Sequence, residues 1–115
     1  MPTVTINGNS ADFDEETRLV NAIRSLGVNI GHRCGGKARC TTCRVDFVEG
    51  EPEAMTEAEH DKLKEKELVG KARLSCQILC SGDMEVKAMM TKESEGWPDT
   101  GPEPADEIEP EPVWR

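Results

Sequence analysis

The stretch HRCGGKARCTTCR, residues 32–44, gathers three of the chain's cysteines within ten positions. These are Cys34, Cys40 and Cys43, and Cys76 follows after 32 intervening residues. Three soft thiolate donors in one loop, closed by a fourth from a distant segment, suit a compact metal–sulfide group. The spacing therefore predicts a metal–sulfide centre at this loop.

Other residues of the loop fit the same chemistry. Gly35 and Gly36 allow a tight backbone curve and close approach to a bound group, and Thr41 and Thr42 offer hydroxyl donors to sulfur. A set of basic residues surrounds the cysteines and can offset the negative charge of a thiolate cluster. The alternative for each of these residues is that it simply keeps the loop soluble. This set is His32, Arg33, Lys37, Arg39, Arg44 and Arg73.

Length and composition indicate one globular domain. The chain has 115 residues, of which 36% are hydrophobic and 32% charged. No apolar run approaches the roughly 18–20 residues that span a bilayer, and the opening MPTVTINGNS lacks the pattern of a secretory signal, so we expect a cytoplasmic protein with no membrane partner. Five cysteines, an odd count, favour metal or redox chemistry over a closed disulfide framework.

The negative charge of the chain is concentrated at its C-terminal end. The net charge is −9, and residues 93–115 contribute eight acidic residues against one arginine. No concentrated basic surface is left to contact phosphates, which argues against nucleic acid as a partner.

The hydrophobic pattern predicts a compact α+β domain over residues 1–92, in the order β-β-α-loop-β-α-β. Residues 3–6 are followed by Asn7-Gly8, a hairpin signal, and a second strand ends near Phe13. A helix is expected next, with Asp14 as its cap and Gly27 at its end. Its apolar face would contain Leu19, Val20, Ile23 and Leu26.

The second half begins with a strand over residues 44–48. Thr56 and Glu59 have the spacing of a capping box and predict a surface helix that extends to about Leu68. A last strand is expected at the alternating residues Met84, Val86 and Ala88.

Residues 93–115 differ in composition from the domain. They contain five of the seven prolines together with the acidic excess, which predicts a flexible tail. Trp97 and Trp114, the only tryptophans, both lie here. Docking of at least one of them on the domain or on a partner is left open.

Two segments carry a family resemblance. The run from Cys34 to Val45, CGGKARCTTCRV, and the run RLSCQI at residues 73–78 resemble the [2Fe–2S] ferredoxins of the β-grasp fold. The five-residue spacing between Cys34 and Cys40 is similar to the bacterial and mitochondrial, adrenodoxin-like branch. The resemblance implies a mixed sheet with one packed helix and a second surface helix.

The same resemblance implies the cofactor and its ligands. These are a [2Fe–2S] cluster with Cys34 and Cys40 on one iron, and Cys43 and Cys76 on the other. Cys80 competes in principle with Cys76, but the Arg-Leu-Ser-Cys-Gln match favours Cys76 and leaves Cys80 as a small buried apolar side chain.

Neither histidine is expected to be a ligand. Rieske-type ligation needs two histidines in place of two cysteines on one iron, and four suitably spaced cysteines are present. His32, two residues before Cys34, is expected at the edge of the cluster, and His60 on the solvated surface.

The function implied is that of a monomeric one-electron carrier, not an enzyme, between a flavoprotein reductase and acceptor enzymes. Alternatives are the electron-entry subunit of a larger enzyme, a redox-sensing or cluster-assembly partner, and a structural zinc module. A run of acidic residues on and before the second helix is either a docking surface for basic partners or a solvated face. It comprises Glu49, Glu51, Glu53, Glu57, Glu59 and Asp61.

Overall fold

The computed structural model describes residues 2–33, 35, 41–108 and 112–114. Its elements in chain order are β1 (Thr3–Ile6), β2 (Asn9–Asp12), α1 (Leu19–Ser25), β3 (Arg44–Glu49), α2 (Glu57–Glu65), β4 (Arg73–Leu74), a 3₁₀ turn (Ser75–Gln77), β5 (Met84–Ala88) and α3 (Lys92–Glu95).

The strands form one mixed sheet in the order β2-β1-β5-β3-β4. β1 pairs with β5 in parallel, and the other pairs are antiparallel. The β1–β2 turn uses Asn7 at φ 53° and Gly8 at φ 81°, the conformation that the Asn-Gly pair favours. The predicted hairpin and the predicted fold class are both confirmed.

Helix α1 buries its apolar face in the core. Leu19, Val20 and Ile23 are all 0% exposed, and Gly27 follows the helix at φ 84° as expected. The predicted cap was wrong. The Asp14 side chain accepts a hydrogen bond from the amide of Glu16 at 2.8 Å, which closes a local turn instead of starting the helix.

Helix α2 begins as predicted but uses its acidic residues differently. Thr56 Oγ1 accepts a hydrogen bond from the Glu59 amide at 3.1 Å. The Glu59 side chain is buried and bonds to Arg73, so no capping box closes through its carboxylate. The helix ends at Glu65, before Leu68, and Leu63 is the apolar residue that it buries.

Parts of the C-terminal segment lie against the domain. Ile108 is 7% exposed, and the carbonyl of Val113 accepts a hydrogen bond from the Glu57 amide at 2.8 Å. The domain boundary at residue 93 and the flexibility of the tail stay predictions. Among the described residues, the helices are too short and too polar to cross a bilayer.

Candidate metal centre

Two of the four predicted ligands lie on neighbouring segments at one end of the sheet. In the β3–β4 register Arg44 faces Leu74. One step further along, the carbonyl of Cys43 accepts hydrogen bonds from Ser75 N at 3.2 Å and from Ser75 Oγ at 2.7 Å. Cys43 is 3% exposed and Cys76, the next residue after Ser75, is 0% exposed. Sheet pairing thus links residues that are 33 positions apart in the chain.

The other two predicted ligands, Cys34 and Cys40, lie outside the described residues, as do Gly36, Lys37 and Arg39. Their described neighbours are Arg33, Gly35 and Thr41. Thr41 has φ 56° and Gly35 has φ 75°, so the loop changes direction at both of these positions. Positive φ at Gly35 agrees with the conformational freedom predicted for it.

The two threonines of the loop accept hydrogen bonds. Thr42 Oγ1 accepts a hydrogen bond from the Arg33 amide at 3.1 Å, which joins the backbone that enters the cysteine loop to the backbone that leaves it. Thr41 Oγ1 accepts from Arg44 Nη2 at 2.7 Å. Both threonines are nearly buried, so these bonds form away from bulk water.

A side-chain amide donates to the sulfur of Cys76. Gln77 Nε2 lies 3.8 Å from Cys76 Sγ, within range of an N–H···S hydrogen bond. The other end of the amide is fixed, because Gln77 Oε1 accepts from Thr56 Oγ1 at 2.8 Å. Donors to a ligand sulfur stabilise the more negative, reduced state of an iron–sulfur centre.

Arg18 holds the backbone of Cys76. Its Nε and Nη2 donate to the carbonyl of Cys76 at 3.1 and 2.7 Å, and the side chain is 0% exposed. Sequence reasoning missed this residue. No local pattern could have revealed it, because its acceptor lies 58 positions away along the chain.

Arg73, predicted as one of the surrounding cations, anchors the strand that leads to Cys76. Its Nε and Nη2 form a two-point ion pair with Glu59 at 2.8 and 3.1 Å, and Glu59 Oε2 also accepts from the Leu74 amide at 2.8 Å. Burial lowers the pKa of Arg73, but its bonds to Glu59 and Glu51 outweigh that effect and raise it. The guanidinium therefore stays charged inside the fold.

Cys80 has a different environment from Cys76. It is 0% exposed and belongs to the apolar core, and its amide donates to the Thr17 carbonyl at 2.9 Å. Burial raises the pKa of the Cys80 thiol from 9.0 to about 11. A neutral thiol is a poor ligand, which agrees with the apolar role expected for it.

The histidines are both engaged by the protein. His32 is 3% exposed, and its Nδ1 lies 2.8 Å from the carbonyl of Pro102. His60 Nδ1 lies 3.6 Å from Asp61 Oδ1. The His60 side chain is 27% exposed, so it lies at the surface but is partly covered by its neighbours.

Comparison with known proteins places the chain in a family. Residues 4–81 match the 2Fe-2S iron-sulfur cluster binding domain. The chain belongs to this family, and its cofactor is a [2Fe–2S] cluster. Cys43 and Cys76 fit such a group, because both thiols are buried on segments joined by the Cys43–Ser75 hydrogen bonds, with an N–H donor near the Cys76 sulfur. The fold and the family together define a [2Fe–2S] ferredoxin domain, a class that carries single electrons.

Individual relatives include one protein that the match covers almost entirely and one that it covers only in small part. The 2Fe-2S ferredoxin-5 of Aquifex aeolicus is 30% identical over 91 residues, which cover 75% of this chain and 95% of that protein. The F subunit of the Na(+)-translocating NADH-quinone reductase of Pseudoalteromonas atlantica is 32% identical over 88 residues, which cover 74% of this chain and 21% of that protein. The chain thus spans about a fifth of that relative's length.

A solved structure also contains a region similar to this chain within a longer protein. The cytochrome P450 reductase GcoB of Amycolatopsis superimposes with a TM-score of 0.63 at 25% identity, over 77% of this chain and 26% of that one. Within that reductase, the similar region is again one part of a longer protein.

Proposed function

We propose that this protein carries one electron at a time on a [2Fe–2S] cluster held by Cys34, Cys40, Cys43 and Cys76. When bound, the cluster supplies a redox couple that gains or loses one electron without breaking covalent bonds. The observation that supports the proposal is the hydrogen bonding of Ser75 to the Cys43 carbonyl, which joins the segments of two buried cysteines that match the ligand positions of the ferredoxin motif.

The protein's own groups give the site its electrostatic character. Cys43 and Cys76 are shielded from water, and the Gln77 side-chain amide offsets negative charge on the Cys76 sulfur. Two charged anchors, Arg18 at the Cys76 carbonyl and Arg73 in its pair with Glu59, hold the backbone around Cys76. Both anchors would therefore help to keep the Cys76 thiol in place for a cluster.

The proposed donor is a flavoprotein reductase, and the proposed acceptors are redox enzymes that bind transiently to a monomeric, cytoplasmic carrier. Support comes from the similarity to regions of a P450 reductase and of an NADH-quinone reductase. In those proteins the similar region belongs to the same chain as the remaining reductase sequence, whereas the Aquifex aeolicus ferredoxin matches over nearly its full length.

The acidic run before and on α2 is the proposed docking surface, with one correction. Glu59 is 0% exposed and paired with Arg73, so it cannot meet a partner. The remaining members, Glu49, Glu51, Glu53, Glu57 and Asp61, are exposed. If they steer a basic partner, the transfer rate falls as salt rises, because the Debye length shrinks from about 10 Å at 0.1 M to about 3 Å at 1 M. A rate independent of salt would rule out this docking surface.

The experiment that tests the carrier function is purification in air followed by iron and sulfide assays and titration with dithionite. We expect two irons, two acid-labile sulfides, a red-brown colour that bleaches on reduction, and uptake of one electron per two irons. Reoxidation by cytochrome c then shows that the electron can leave. A colourless protein with zinc and no sulfide would replace this proposal with the structural zinc module.

A second candidate is an electron-entry unit that stays bound to a larger enzyme. The observation that favours it is the match to only 21% of the NADH-quinone reductase relative. Gel filtration of the protein with its reductase at low and high salt separates the two candidates. A transient carrier elutes alone at high salt, whereas a permanently bound unit co-elutes under both conditions.

A further inference from the structure

The C-terminal segment crosses the arm of backbone that leads into the cysteine loop. We call residues 97–108 the strap and residues 29–33 the arm, which ends next to Cys34. The amide of His32 donates to the Thr100 carbonyl at 2.9 Å, and His32 Nδ1 lies 2.8 Å from the Pro102 carbonyl. Two carbonyls of the strap thus contact one residue of the arm.

The ring of Trp97 packs closely against the same arm at Gly31. A Cβ added at Gly31 would lie 2.7 Å from a ring carbon of Trp97 and 2.7 Å from the Thr42 carbonyl oxygen. The arm therefore passes between the strap and the far side of the cysteine loop, with room only for glycine. The Arg33 guanidinium lies 5.2 Å from the Trp97 ring centroid, in cation–π range.

The strap also reaches the other side of the site through Arg18. Arg18 Nη1 donates to the Ala105 carbonyl at 2.7 Å, while Nη2 of the same guanidinium donates to the Cys76 carbonyl at 2.7 Å. Asn21 Nδ2 adds a second donor to Ala105 at 3.1 Å. One buried guanidinium therefore joins the strap to the residue proposed as the last ligand.

We propose that the strap is a positioning element of the cluster site, which braces the arm before Cys34 and, through Arg18, the carbonyl of Cys76. Its effect is to slow the opening of the loop and the release of the cluster. The proposal rests on the proposed function and extends it, since the family match ends at residue 81 and the strap lies beyond it.

A glycine pair in the C-terminal segment supplies a matched test. A Cβ at Gly101 would lie 2.5 Å from Arg33 Cα and 2.6 Å from the His32 oxygen, so Gly101→Ala forces strap and arm apart. A Cβ at Gly96 meets nothing within 4 Å. Both glycines have positive φ, so alanine strains the local backbone at both positions, but only Gly101→Ala disturbs the contact.

Two measurements on the full-length holoprotein decide the outcome. The first is hydrogen exchange at the arm, and the second is the rate at which visible absorbance decays in excess EDTA. Loss of the two His32 contacts predicts roughly thirtyfold faster exchange and cluster loss in Gly101→Ala, because each net hydrogen bond contributes about 1 kcal/mol and the two together about 2 kcal/mol. Gly96→Ala should match the wild type in both. Trp97→Ala, which creates no clash, should change both rates in the same direction as Gly101→Ala.

Other results would overturn one proposal or the other. Rates for Gly101→Ala and Trp97→Ala equal to those of Gly96→Ala would show that the strap does not brace the site. If Gly101→Ala fails to fold, as judged by circular dichroism, Trp97→Ala alone decides in the same way. A wild type that contains no iron or sulfide would contradict the proposed function instead. Hydrogen exchange at the arm would then be the single test of whether the strap braces the arm.

Discussion

Cys76 and Cys80 lie four residues apart, and both are 0% exposed, but the groups around them differ. The carbonyl of Cys76 accepts two N–H groups of Arg18, and its sulfur lies 3.8 Å from the Gln77 amide nitrogen. Cys80 belongs to the apolar core, and burial raises the pKa of its thiol to about 11.

The difference shows that burial alone does not prepare a cysteine for a metal. A thiolate ligand needs hydrogen-bond donors near its sulfur, because they favour the charged form. It also needs a fixed backbone that orients the sulfur toward the metal. A buried thiol without that electrostatic support keeps its proton and behaves as a small hydrophobic side chain. Four predictions test this contrast, in order of decreasing effect.

The largest effect is expected from removing each thiol in turn. Cys76→Ser should lose nearly all bound iron and sulfide together with the visible absorbance, because a ligand is removed. Cys80→Ser should keep the cluster, since the apolar site only loses packing. Metal assays and absorption spectra of the two purified variants provide the measurement. Normal iron content in Cys76→Ser, or its loss in Cys80→Ser alone, would reverse the assignment.

The second prediction tests the buried ion pair between Glu59 and Arg73, which anchors the strand before Cys76, with the variant Glu59→Gln. This change leaves the buried Arg73 guanidinium without its full negative partner and should lower the free energy of unfolding by about 3–5 kcal/mol. Chemical denaturation gives the value. Glu57→Gln, on the exposed side of the same helix, should change it by less than about 0.5 kcal/mol. Equal effects in the two variants would mean that the ion pair does not stabilise the fold.

Cys80 should make stability depend on pH at the alkaline end. Its thiol has a pKa of about 11 in the fold against 9.0 ordinarily, so the unfolded chain ionises first. The stabilisation is complete below pH 9, declines above it and is lost by pH 11, a difference of up to about 2–3 kcal/mol. Subtracting the pH profile of Cys80→Ala from that of the wild type isolates this contribution. A difference that does not vary with pH would show that the thiol is not perturbed.

The smallest effect concerns the donor to Cys76 Sγ. Gln77→Glu removes the N–H and adds negative charge, so the reduction potential should fall by about 40 mV or more if the bond contributes about 1 kcal/mol. Gln77→Met removes the donor alone and should give a smaller shift in the same direction. Redox titration followed by absorbance measures both variants. An unchanged potential in both would remove Gln77 from the tuning of the site.

Much of the molecule could be predicted from local patterns. Asn7-Gly8 specifies its turn because few other residue pairs adopt positive φ so readily, and the apolar spacing of Leu19, Val20 and Ile23 identifies the helix that packs on the sheet. Asp14 was misassigned because a carboxylate at a helix start also closes short turns, and the two uses look alike in sequence.

The cysteine spacing by itself predicted a metal–sulfide centre, because ligand type and loop length restrict what a chain can bind, and the resemblance to ferredoxins identified the cluster. Only the tertiary structure decided how the site is held. Glu59 meets Arg73, Arg18 meets Cys76, and the strap meets His32, in each case between segments distant in the chain. Such partners are chosen by packing and by the need to satisfy buried charges, and neither is encoded in any short stretch of residues.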